Sequence, residues 1–281
     1  MSKILSTLDF PRGPEMKNRF MLAPLTNSQS HEDGIMSDEE FHWLTMRAKG
    51  GFGLTMTCAS HIQAIGKGFP GQMGVFSDDH LEGLSRLAKE INSFDSISIV
   101  QLHHAGMRSP KELIGEDPVC PSDNEEFSAR SLSLDEVKIL RDDFIAGAVR
   151  SEKAGFDGVE LHGAHGYIIC QFLSDEVNLR QDEYGGDLTG RARLLREIID
   201  GIRSECSKDF MLGVRLSSER FGIKLSESKQ LAEELMLSGD LDFLDMSLWN
   251  CFNEPQEEEF KGKTLLKHFV DLQRGDTRLG V

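Results

Sequence analysis

The residues with the clearest chemistry fall in one stretch, 158–174, GVELHGAHGYIICQFLS. It opens as a strand over 159–161 and then presents His162, His165 and Tyr167 within six residues. Gly163 and Gly166 separate them, so the backbone can turn sharply there. A strand that ends in two imidazoles and a phenol reads as the wall of an active site, because α/β barrels place their chemistry at strand ends and the loops that follow. Each residue also has a plainer reading, as a loop histidine or as a packed tyrosine with its hydroxyl tied to backbone. Three together inside a barrel-like pattern favour the site. Tyr184, the only other tyrosine, sits in the turn DEYGGD ahead of a helix and reads as structural. Tyr167 alone can therefore be a phenolic acid at the histidine cluster.

The elements that must position this cluster alternate. Strands are predicted over 20–25, 52–58, 97–102, 158–161, 211–216 and 243–247, and Arg278-Leu279-Gly280-Val281 looks like the opening of a seventh. Helices are predicted between them over 38–49, 78–91, 134–154, 190–205, 227–237 and 264–274. The first is announced by a capping box, with Ser37 as N-cap and Glu40 at N3, and is ended by Gly50-Gly51. Strict strand–helix alternation implies a parallel sheet. The expected fold class is α/β, a TIM (β/α)8-type barrel lacking its last one to two βα units, as a single domain over 1–281. Residues 103–132 are long for a barrel loop and are expected to form a lid.

Composition narrows the function classes. The net charge of −16 argues against a nucleic-acid binder and against an anionic membrane surface. Cys58, Cys120, Cys170, Cys206 and Cys251 are odd in number, widely spaced and without a CxxC, which fits reduced thiols in a cytoplasmic protein. No apolar run reaches membrane-spanning length. His103, His104, His162 and His165 come from neighbouring strand ends and could in principle hold zinc or iron. A lone HxxH pair without HExxH is a weak metal signal, so no metal is expected. Residues 66–71, GKGFPG, match GxGxxG formally, but Pro70 interrupts the motif and no helix opens on it. A solvent loop is expected there.

The runs HGAHGY and QFLS, followed by Asn178, Arg180, DEYGG and RAR, closely resemble the Old Yellow Enzyme family of FMN-dependent NAD(P)H oxidoreductases. NRFMLAPLT is similar to that family's first-strand motif, and QLHHAG fits its Gln-Leu-x-His-Ala-Gly pattern. The resemblance extends from Asn18 to Val281. It implies an FMN-binding barrel with Ala23, Pro24, Leu25 and Thr26 against the flavin ring, Thr26 donating a hydrogen bond to the C4 carbonyl. Some relatives carry Cys at that position and Tyr two residues later; Ser28 stands there in this chain, so that contact is absent. Gln101 would bond the pyrimidine edge, against the plainer reading of a glutamine paired with backbone. Arg215 would sit beside N1 and the C2 carbonyl, against the plainer reading of a structural salt bridge.

The resemblance also implies a reaction. NAD(P)H reduces FMN, and a small-molecule activated alkene, an α,β-unsaturated carbonyl compound, then takes the hydride. His162 and His165 would bind its carbonyl oxygen, and Tyr167 would protonate the α-carbon. In the family the last two strands hold the FMN phosphate. A contrasting expectation is therefore a non-catalytic, flavin-free barrel fragment that forms a homo-oligomer or binds a partner through unpaired strand edges.

Overall fold

The computed structural model describes residues 3–281. Seven parallel strands form one sheet in chain order: β1 (Met21–Leu22), β2 (Leu54–His61), β3 (Ile97–His103), β4 (Gly158–Gly163), β5 (Met211–Ser217), β6 (Phe243–Ser247) and β7 (Arg278–Gly280). The strand expected over 20–25 pairs through only two residues. Pro24 has no N–H to continue the ladder, and the chain runs on extended. The short segment at 278–280 does form a strand, with Arg278 in register with Phe243 and Gly280 with Asp245.

The connecting helices are α1 (Asp38–Lys49), α2 (Leu81–Asn92), α3 (Leu134–Lys153), α4 (Ile168–Leu173), α5 (Arg193–Glu205), α6 (Leu225–Leu237) and α7 (Leu265–Val270). α5 is amphipathic, and Leu194, Leu195, Ile198, Ile199 and Ile202 are its buried face. The main core lies between such faces and the outer side of the sheet. A second cluster joins Met16, Leu54, Met56, Ile97, Ile99, Met211 and Phe243. Apart from Met16, these residues come from β2, β3, β5 and β6, so the sheet curls until distant strands share one interior. Glycine makes the curl possible at Gly158, where a Cβ would sit 2.3 Å from the Met211 carbonyl oxygen of the next strand.

Two sequence expectations need correction, and a third segment gains detail. The capping box at α1 forms only by half. Ser37 accepts from the Glu40 N–H at 3.1 Å, but the Glu40 side chain turns inward. There it is fully buried and accepts from Asn27 Nδ2 at 3.2 Å, Cys58 Sγ at 2.9 Å and the Ser30 hydroxyl. Three donors on the adjoining segments outweigh the single N–H of Ser37. The complete box is at α3, between Ser133 and Glu136. The GKGFPG segment is not a solvent loop at its start: Gly66 and Lys67 are buried, and Lys67 Nζ donates to the Glu32 carbonyl at 2.6 Å. A side chain at Gly66 would collide with His104, 2.5 Å away. Finally, the 103–132 excursion carries local structure, a helix Lys111–Ile114 and a two-residue ladder between Val119–Cys120 and Arg130–Ser131.

Glu40 thus ties the segment after β1 to α1 and β2. Glu40→Ala leaves three donors without their acceptor and is expected to cost about 2 kcal/mol in a urea melt. A loss under about 0.5 kcal/mol would show the network to be dispensable.

Candidate active site

Side chains two apart on a strand share a face. That parity decides what enters the barrel. β3 contributes Gln101 and His103, β4 Glu160 and His162, β5 Arg215 and Ser217, and β6 Asp245 and Ser247. The registers align Gln101 with Glu160, His162 with Arg215, Arg215 with Asp245, and Ser217 with Ser247. The interior is therefore layered. An apolar floor around Met211 and Phe243 lies below a carboxylate–amide layer, and the imidazoles stand at the strands' C-terminal ends.

At that end the backbone turns through two left-handed residues, His165 (φ 62) and Gly166 (φ 71). Glycine is required at the second, where a Cβ would lie 2.9 Å from the Phe221 ring. His162 Nε2 and His165 Nδ1 are 2.9 Å apart, and His165 Nε2 meets Ser247 Oγ at 2.5 Å. Tyr167, at the N-cap of α4, packs edge-on against His103 at 4.4 Å and His162 at 4.9 Å. The Arg108 guanidinium covers its ring at 4.8 Å and also donates to the His165 carbonyl. The lid-like excursion thus touches the cluster through its first turn.

The other site residues are placed as follows. Gln101 is buried and paired not with backbone, as its plainer reading had it, but with a carboxylate: its Nε2 donates to Glu160 Oε1 at 2.7 Å. Arg215 Nε lies 3.0 Å from Asp245 Oδ2 as an ion pair, though the N–H is not aligned for a hydrogen bond. Ala23 and Pro24 are half-buried, whereas Leu25 is 54% exposed and Thr26 is exposed. Ala23 lines a cleft of about 460 Å³ together with Arg215 and Asp245. Leu25 and Thr26 are not among its lining residues. Glu160, Asp245 and Ser247 were not singled out in the sequence. The signal for the two carboxylates was the one that flagged Arg215, a single charge inside an apolar strand.

One property of the interior stands out. Gln101 Oε1, Glu160 Oε2, His103 Nε2, His162 Nδ1, Arg215 Nε and Asp245 Oδ2 are buried without a hydrogen-bond partner among the described residues. Buried polar atoms are normally satisfied, so a run of orphans in one layer marks a place for a polar ligand. No group of three or more His, Cys, Asp or Glu side chains among the described residues is arranged to hold a metal.

Burial also sets the charges. It is the first cause holding His165 and His61 near 4 and His104 near 3, and it takes His103 and His162 well below their ordinary 6.5. Burial raises Glu160 to about 8, with Asp245 adding and Arg215 opposing. The unfolded histidines bind protons near 6.5 and the folded ones only far lower. Their contribution is complete above that pH and is lost as pH falls. Glu160 acts in the opposite sense, since its folded value lies above its ordinary 4.5. Its contribution is present below 4.5 and lost as pH rises toward 8. Burial also raises Asp157 and Asp245, so between these limits five histidines outweigh three carboxyls. The urea midpoint is expected to fall from about pH 6.5 to 4.5, and a flat or rising midpoint would contradict the neutral assignment.

The chain is similar to known proteins. Residues 9–246 match the NADH:flavin oxidoreductase / NADH oxidase family. The chain is 36% identical over 252 residues to a probable NADH-dependent flavin oxidoreductase, YqiG, of Bacillus subtilis, covering 85% of this chain and 67% of that protein. It is 37% identical over 210 residues to an NADPH dehydrogenase of Clostridium acetobutylicum, covering 73% of this chain and 61% of that protein. The structure superposes on an old yellow enzyme homologue from Zymomonas mobilis with a TM-score of 0.79 and 30% identity, covering 87% of this chain and 73% of the other. No helix among the described residues is long and apolar enough to cross a membrane. With the parallel barrel wall, the imidazole–phenol cluster and this match over most of its length, the chain belongs to the NADH:flavin oxidoreductase / NADH oxidase family, the FMN oxidoreductases of the old yellow enzyme type.

Proposed function

We propose that this chain binds FMN and, with NAD(P)H as reductant, reduces the carbon–carbon double bond of an α,β-unsaturated carbonyl compound. The observation that carries the reading is the set of orphaned donors and acceptors beneath a neutral imidazole–phenol cluster. A flavin edge offers both a donor and acceptors, and the layer fits it. Because Gln101 Nε2 is occupied by Glu160, its Oε1 is the free acceptor for the flavin N3–H. Arg215 brings a fixed cation to the side where reduced flavin is negative. Ala23, which lines the cleft, and Pro24, Leu25 and Thr26, which follow it in the chain, are the proposed further contacts of the ring.

Bound FMN supplies the hydride, having taken it from NAD(P)H. The chain's own residues handle the substrate. His162 Nε2 and His165 Nδ1 face each other across 2.9 Å, and with His162 moved to its Nε2–H tautomer a carbonyl oxygen between them accepts two N–H···O bonds in place of the one N–H···N bond. The Ser247 hydroxyl can donate to His165 Nε2, which leaves Nδ1 protonated for the substrate. These donors stabilise the charge that grows on the oxygen as hydride arrives at the β-carbon. Tyr167 delivers the proton to the α-carbon.

The test is an absorbance spectrum of the purified protein after incubation with FMN and removal of excess. Visible flavin bands that bleach with NAD(P)H and return on adding an enone support the reading. A colourless protein would sink it and favour the flavin-free, self-associating alternative.

A further inference from the structure

One imidazole of the site has no part in the reaction just described. His103 is 1% exposed and closes β3 with its ring 4.4 Å from Tyr167 and 5.3 Å from His162. Its Nδ1 lies 3.0 Å from Gln72 Nε2. The other contacts of Gln72 decide the direction of that bond. Gln72 Oε1 accepts from the Gly68 N–H at 2.6 Å, and Nε2 donates to the Ala59 carbonyl at 2.8 Å. Turning the amide over would set N–H against N–H and carbonyl against carbonyl. The atom facing Nδ1 is thus a donor, and Nδ1 accepts. Burial keeps the ring neutral. A neutral imidazole that accepts at Nδ1 carries its proton on Nε2. That N–H is buried and has no partner among the described residues. A buried donor left unmade is costly, which points to a ligand acceptor.

We propose that His103 Nε2–H is a third donor of the site and reads a second acceptor oxygen on the substrate, so that alkenes flanked by two carbonyls are favoured over alkenes with one. The inference rests on the alkene reduction proposed above. The rings run His103, His162, His165, with neighbouring centroids 5.3 and 5.1 Å apart. One oxygen on the His162–His165 pair and another on His103 match the two carbonyls across a neutral enedioate diester. Gln72 is a positioning residue that holds the His103 tautomer.

The experiment compares kcat/KM for dimethyl fumarate, with two carbonyls, and cyclohexenone, with one, using the FMN-loaded protein. His103→Phe keeps the ring packing without the donor. It is expected to lower the ratio of the diester value to the cyclohexenone value about tenfold to a hundredfold, whatever loss the two share. His103→Gln restores a donor and is expected to regain most of the loss. Nitrogen NMR of the imidazoles should show His103 as the Nε2–H tautomer from about pH 5 to 8 and a mixed tautomer in Gln72→Leu. Equal losses on both alkenes, no loss on the diester, or an Nδ1–H tautomer would each overturn the assignment of His103 while leaving the proposed function standing. A wild-type protein that reduces neither alkene would instead bring down the proposed function, and this inference with it.

Discussion

Tyr167→Phe is expected to slow transfer to the alkene by about 10²–10⁴-fold while leaving reduction of bound FMN by NAD(P)H unchanged. The substitution is nearly silent structurally. The ring keeps its contacts with His103 at 4.4 Å, His162 at 4.9 Å and the Arg108 guanidinium at 4.8 Å. Only the phenolic O–H is lost, and with it the proposed proton donor, while burial disfavours the charged form of the neighbouring imidazoles. Stopped-flow absorbance separates the two half-reactions. Bleaching by NAD(P)H reports the first, and recovery on adding an enone reports the second. Equal slowing of both would mean that Tyr167 shapes the pocket rather than supplies the proton. Unchanged recovery would assign the proton to solvent.

The second large effect is on stability. Arg215→Met removes the cation 3.0 Å from Asp245 and near Glu160, both buried. Breaking a buried pair by deleting one partner costs about 3–5 kcal/mol, since the remaining charge has neither water nor counter-ion. The urea midpoint of the variant should fall accordingly. Adding Asp245→Leu removes the stranded carboxylate and should restore most of the loss, because an apolar pair of similar volume is often as stable as the ion pair. Both variants should bind FMN poorly, as both lack the guanidinium. A double variant no more stable than the single one would show that Arg215 and Asp245 are not energetically coupled. Retention of FMN by the double variant would remove Arg215 from the proposed cofactor contacts.

What the sequence determined by itself was what is local in the chain. Strand–helix alternation is written in residue periodicity, so six strands, a seventh at 278–280 and the helices between them were legible. His162, His165 and Tyr167 were legible for the same reason, since six residues around two glycines must come close however the rest folds. Partners that depend on register were not. Gln101 and Glu160 are 59 residues apart, Gln72 and His103 are 31 apart, and His165 and Ser247 are 82 apart. Gln101 and Glu160 meet only because parallel strands are aligned to one residue, and a slip of one would send every side chain to the other face; the other two pairs join a strand end to a distant loop. Glu40 shows the same limit at a helix end. Local rules place it in a capping box, and the tertiary structure turns it inward because Asn27, Ser30 and Cys58 offer more bonds there than the single N–H of Ser37 does. The residue types announced the chemistry. Register and burial decided which atoms are spent on one another and which, like Gln101 Oε1 and His103 Nε2, are left without a partner among the described residues.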